Sequence, residues 1–252
     1  MANQVTKASN QSPTFDSARA QQSIDGEVSA QARNTILKHA VVAGACQLIP
    51  LPFVDDFIMG QVHERMNIAL FREHGFELNE QGQDILRETE SRWLSSMLTS
   101  VIMFPVKKIL KKVLFVFSIK AVADVTSSTF HDGWMVARAV EGRYVDPALL
   151  AANDEETLKR LRAAVLLTKS QVDTRPINKA LKTAFSLTNI KKAGESLTGF
   201  FRKNGRRDAT TDEFIREGNL GEAIREADRV TAQQKGYFIE LDRRFFENLQ
   251  SV

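Results

Sequence analysis

The sequence predicts an all-α protein, and three observations predict it. Apolar residues recur at helical spacing, with no long alternating pattern to support strands. Helix punctuation is dense: Pro50 and Pro52 close one segment, and Gly75 and Gly142 close two others. Acidic residues stand where segments restart, at Asp55-Asp56 and at Asp154-Glu155-Glu156, where carboxylates meet orphan N–H groups and the positive dipole end. The expected architecture is an antiparallel helical bundle, built as two related helical hairpins. A smaller charged helical C-terminal part follows it.

Composition allows one large domain or two small ones. The 252 residues are 43% hydrophobic and 26% charged, an ordinary globular balance. The net charge of +3 gives no whole-molecule case for nucleic acid. The lone cysteine, Cys46, lies inside an apolar run, which fits a reducing compartment and allows no intramolecular disulfide. Residues 1–28 are polar, rich in Ser, Gln and Asn, and expected to be disordered. They hold no apolar core of a secretory signal. No uncharged run reaches the roughly 18–20 residues of a spanning helix. The domain organisation read from these shifts is a disordered segment over 1–28, a helical domain over 29–146, and a basic linker with C-terminal helices over 147–252.

The first helix is expected from about Glu27 to Leu48, because Pro50 and Pro52 lack an N–H and push their predecessors out of the α region. Its second half belongs to the charge-free run His39 to Val54, with Gly44 placed for a close helix crossing. Asp55 or Asp56 caps a second helix that runs to about His74, with Gly75 as the residue just past its end. A third helix is expected from about Glu80 toward Phe104, where Pro105 kinks or ends it. Val106 to Thr126 and Ser127 to Glu141 read as two helices or one continuous element. Beyond Pro147 the texture changes. A short amphipathic helix opens at Asp154 and runs to about Thr168, a basic stretch extends from Lys169 to Arg207, and two or three short charged helices close the chain.

Within this pattern there is an internal echo. Asp56 and His63-Glu64 can be laid over Asp124 and His131-Asp132, and each helix then ends at a glycine, Gly75 or Gly142. A duplication of one helical unit accounts for it.

Two stretches carry the words of a known family. Gly44, Ile49-Pro50-Leu51-Pro52 with Asp55, and His74-Gly75-Phe76-Glu77-Leu78 resemble the EcsC family and the related domain of YcjF-type bacterial membrane-associated proteins. Gly133 and Ala137-Arg138-Ala139-Val140-Glu141-Gly142 look like the second half of that domain. The resemblance covers about Ala30 to Asp146. It implies a helical domain at a bacterial membrane and brings no established chemistry. Such domains often follow a small GTPase domain, but this chain has no G-x4-G-K-[ST] loop, so nucleotide hydrolysis is not implied.

Three constellations are candidates for function. Lys107, Lys108, Lys111 and Lys112 fill one arc of a helix, with Phe115 inside the arc. A basic face with an embedded aromatic suits an interfacial helix on anionic lipid. From Lys179 to Arg207 eight Lys or Arg stand against one acid, Glu195. Lys191, Lys192, Phe200, Phe201, Arg202, Lys203, Arg206 and Arg207 read as an anion-binding, membrane-dipping surface, and nucleic acid is the alternative partner. The third set is Asp56, His63, Asp124 and His131. Residues seven apart share a helix face, and mixed imidazole and carboxylate sets between helices suit a divalent metal. Against it, the aspartates read equally well as helix caps or, for Asp124, as a partner of Lys120.

The functional expectation is a non-enzymatic adaptor or scaffold, peripheral at the inner face of a membrane and cytoplasmic. No cofactor is expected. An anionic surface and an unidentified protein are the expected partners. The alternatives are a metal-dependent enzyme on the His/Asp set and a nucleic-acid-associated protein.

Overall fold

The computed structural model describes residues 27–49, 54–87, 110–142, 144–204 and 209–252; of these, the side chains at 54–58, 110–118, 201, 202 and 204 are not described. Among the described residues there are eleven α-helices and no strand, which is the all-α class. They are α1 (Ala30–Cys46), α2 (Val54–Glu73), α3 (Glu80–Arg87), α4 (Leu110–Glu141), α5 (Pro147–Ala151), α6 (Glu155–Gln171), α7 (Arg175–Leu187), α8 (Ile190–Asn204), α9 (Thr211–Gly218), α10 (Gly221–Ala232) and α11 (Lys235–Ser251). The Pro50–Pro52 connection, the third helix beyond Arg87 and Pro105 lie outside the described residues.

The centre is α1, and its burial follows from its sequence. Ser29 caps it, its Oγ accepting from the Ala32 N–H at 3.2 Å. From His39 to Cys46 every residue is buried. A helix that is apolar all round must sit inside a protein, and this one is covered by α2, α4, α8, α9 and α10. Gly44 makes its closest approach, as expected for a crossing, but to α4 rather than α2. A Cβ there would lie 2.1 Å from Thr126 Oγ1 and 2.7 Å from the Val122 carbonyl oxygen.

The residue pairings fix how the three central helices run. Ser29 meets Glu141 and Gly44 meets Val122, so α1 and α4 are antiparallel. His63 meets Thr129 and His74 meets Glu141, so α2 and α4 are parallel. The echoed segments therefore lie side by side in the same sense, each histidine about level with its counterpart. The expected pair of helices between Val106 and Glu141 is one helix, α4, of 32 residues.

The end of α2 obeys its sequence. Gly75 has φ +81°, the Phe76 N–H donates to the Phe71 carbonyl at 3.0 Å, and the Gly75 N–H donates to the Arg72 carbonyl at 3.0 Å. This is a Schellman end, and the Phe71 and Phe76 rings pack edge to face over it. Asp154 caps α6 through the Thr157 N–H at 2.9 Å, as its position predicts.

The C-terminal helices pack on the central three. The α7 helix lies on α4, α10 on α1 and α7, and α11 on α6 and α4. Arg33 of α1 reaches Asp228 at 2.7 Å and Thr231 at 2.8 Å on α10. Arg65 of α2 donates to the Ala209 carbonyl.

Candidate functional site

The chemistry-bearing residues gather in two buried junctions and one exposed face. The first junction joins α2, α4 and α6 around Asp132, which is 2% exposed. Lys169 of α6 places Nζ 2.9 Å from Asp132 Oδ1 and donates to Ser128 Oγ at 2.8 Å. Arg162 Nη1 stands 3.9 Å, and His63 Nδ1 3.8 Å, from Asp132 Oδ2. On its other side the His63 ring meets Thr129 Oγ1 at 3.1 Å. Lys169 is close but off the hydrogen-bonding line, so neither Asp132 oxygen takes an aligned hydrogen bond from a described group. Burial pushes the Asp132 carboxyl up to about 6, and Arg162 pulls it back. Burial draws Lys169 down to about 7. Burial, then the charges of Lys169 and Arg162, hold His63 neutral, down to about 3.

The second junction joins α4 to α11. Trp134 Nε1 donates to Asp242 Oδ1 at 2.8 Å, and Arg138 Nε lies 2.9 Å from Asp242 Oδ2, both charged groups being 3% exposed. Arg138 also donates to the Tyr144 hydroxyl at 2.8 Å. Burial pushes the Asp242 carboxyl up to about 6 against the pull of Arg138 and Trp134. One turn earlier, His131 donates from Nδ1 to the Ser127 carbonyl and accepts at Nε2 from the Tyr237 hydroxyl. Phe238 stacks on Trp134 with ring centroids 4.3 Å apart.

The expected metal set does not assemble. His131 uses both ring nitrogens on Ser127 and Tyr237, so neither faces a shared ion with His63. Asp124 pairs with Lys120 at 2.6 Å and accepts from Asn178 at 2.9 Å. The Asp56 side chain lies outside the described residues. Among the described residues no three His, Cys, Asp or Glu side chains stand close enough to hold a metal ion. Parallel packing of α2 and α4 is the physical reason: it sets the histidines level but turns one ring toward α11 and the other toward α4.

The exposed lysines lie on α7 and α8. Ile177, Leu181, Ala184 and Phe185 of α7 and Ile190, Ala193 and Leu197 of α8 are buried. The apolar residues interleaved with the lysines thus belong to the core. Lys179, Lys182, Lys191, Lys192 and Lys203 are exposed. Phe200 departs from its expected place at a membrane-dipping tip. It is half-buried and packs edge to face on Phe214 of α9. Leu187, at the turn between the two helices, is 68% exposed. Lys107, Lys108, Arg206 and Arg207 lie outside the described residues, as do the side chains of Lys111, Lys112, Phe115, Phe201 and Arg202. No helix among the described residues is long and apolar enough to cross a membrane.

Sequence reasoning missed Arg162, Lys169, Arg138 and Asp242, although a signal was there. In α6 the buried stripe Leu158, Leu161, Val165, Thr168 continues through Arg162 and Lys169 at the same helical spacing. In α11 the stripe Phe238, Leu241, Phe245, Leu249 includes Asp242. A charge set into an apolar stripe marks a buried partner.

Comparison with protein-family models, curated proteins and solved structures finds no match.

Proposed function

We propose that this chain is a non-enzymatic peripheral adaptor that rests on an anionic membrane surface, in the manner the EcsC-type resemblance implies, and offers its C-terminal helices to a protein partner. The observation that supports the reading is the α7–α8 segment, where the exposed Lys182, Lys191 and Lys192 flank Leu187 along the chain, the most exposed large apolar residue among those described. Lysines near an anionic surface each contribute roughly 1 kcal/mol, and a leucine at the turn adds a shallow apolar contact. The inner face of a bacterial membrane supplies such a surface.

Flotation with vesicles of phosphatidylglycerol and phosphatidylcholine tests it. Wild-type protein should float at low salt and remain free at high salt. Replacing Lys182, Lys191 and Lys192 by Gln should weaken binding, as should the same change at Lys107, Lys108, Lys111 and Lys112. Protein that stays free of anionic vesicles at low salt overturns the proposal. A gel shift with duplex DNA at the same salt, positive where flotation is negative, would favour nucleic acid instead.

A further inference from the structure

The contact between α4 and α11 combines two features that seldom meet. Its imidazole, His131, is fully buried, at 0% exposure. Its two nitrogens are both committed in the neutral form. Nδ1 carries the proton given to the Ser127 carbonyl, and Nε2 holds the lone pair that accepts from the Tyr237 hydroxyl. A second proton can enter only at Nε2. That proton removes the acceptor, turns the Tyr237 O–H away, and leaves a cation at a fully buried position.

We propose that the His131–Tyr237 contact is an acid-sensitive latch that holds α11 on α4, closed while the imidazole is neutral and weakened when it is protonated.

The charged and titratable groups around it bear on the sign. Burial is the largest influence on His131 and lowers it to about 4, the Ser127 carbonyl opposing, and no charged side chain contributes. Tyr237 on α11 is raised by burial and by Asp173 and stays a phenol throughout. On α4, Asp132 faces Lys169 and Arg162 of α6 and His63 of α2, so its charge is engaged away from His131. Asp242 is the other titratable group between α4 and α11. Its raised value acts in the opposite direction, since acid then favours the packed state. The latch therefore opens by the histidine and against the aspartate. The inference does not rest on the membrane reading, because it concerns only the contact of α11 with α4.

The chain carries its own reporter. It has two tryptophans, and replacing Trp93 by Phe leaves Trp134, which stacks on Phe238 of α11. Amide exchange of the full-length chain, expressed as protection relative to intrinsic rates, is followed from pH 7 to 4.5 with Trp134 emission. From pH 7 to 4.5 wild type should lose on the order of 50-fold in α11 protection relative to His131→Gln, as linkage gives for an imidazole held near 4 when closed and free when open, with Asp242 acting alike in both chains. At pH 4.5 the Trp134 emission of wild type should lie to the red of that of the variant, while α1 keeps its protection in both. In His131→Gln only Asp242 titrates between the two helices, so protection of α11 should rise on acidification, on the order of 25-fold. The same pH response of α11 in wild type and variant overturns the latch. Should His131→Gln fail to fold at pH 7 by circular dichroism, the wild-type His131 Cε1–H titration decides. A midpoint below about 5 supports the latch, and the ordinary value near 6.5 overturns it.

Discussion

Gly44 shows how much rests on one missing side chain. The 2.1 Å to Thr126 Oγ1 and 2.7 Å to the Val122 carbonyl leave no room for a Cβ, and the carbonyl belongs to a helix that cannot yield locally. Gly44→Leu should therefore cost about 1–3 kcal/mol through overpacking, read as a lower urea midpoint with an unchanged slope. An unchanged midpoint would mean that α1 and α4 are not held at this spacing. The need for a small residue was legible in the apolar run around Gly44. That its neighbour is α4 rather than α2 was not, because a glycine says that something comes close and not what.

At the scale of the element, α6 and α11 share one design. Each has an apolar stripe interrupted by charged residues whose partners lie on α4. The Arg138–Asp242 pair is almost wholly buried, so breaking it leaves an uncompensated charge. Asp242→Ala should destabilise by about 3–5 kcal/mol. The double change Arg138→Met with Asp242→Leu should recover much of that loss, since no charge is then stranded. A double-mutant cycle on urea unfolding measures it, and a double variant as unstable as Asp242→Ala would show that the pair does more than cancel charge. The stretch expected as a basic linker is instead α7 and α8, because the apolar residues interleaved with its lysines recur at helical spacing and are buried on one face. Phe200 was misplaced because an aromatic beside a basic run looks alike whether it meets lipid or Phe214.

For the whole molecule the buried groups set the response to acid. His39, His63 and His131 are each lowered by burial, so their stabilising contribution is present above the unfolded value near 6.5 and lost as pH falls below it. That loss ends at about 4 for His131 and about 3 for His63. Asp132 and Asp242 are raised to about 6, so they act oppositely and regain stability as pH falls through 6. Between pH 6 and 4 the gains from Asp132 and Asp242 nearly offset the losses from His63 and His131, so the direction of the net response, a loss, comes from His39. Urea unfolding at pH 7, 6, 5 and 4 should show that loss, and Asp242→Asn, which removes one offsetting carboxyl, should add a decline of about 1.4 kcal/mol per pH unit between pH 6 and 4. An Asp242→Asn variant no more acid-sensitive than wild type would mean that this carboxyl is not raised in the folded chain.

By itself the sequence determined the all-α class, the end of α2 at Gly75, the cap at Asp154 and the burial of the run from His39 to Cys46. Each follows from local rules: hydrophobic period, proline and glycine geometry, and the satisfaction of backbone groups at helix ends. Only the tertiary structure decided where the charges meet. Asp132 finds Lys169 and Arg162, Arg138 finds Asp242, and His131 finds Tyr237 across sequence separations that no local pattern encodes. The parallel course of α2 and α4 set two echoed histidines level and then turned them to different partners. Periodicity predicts the face a residue occupies, but which helix covers that face depends on how the whole chain packs.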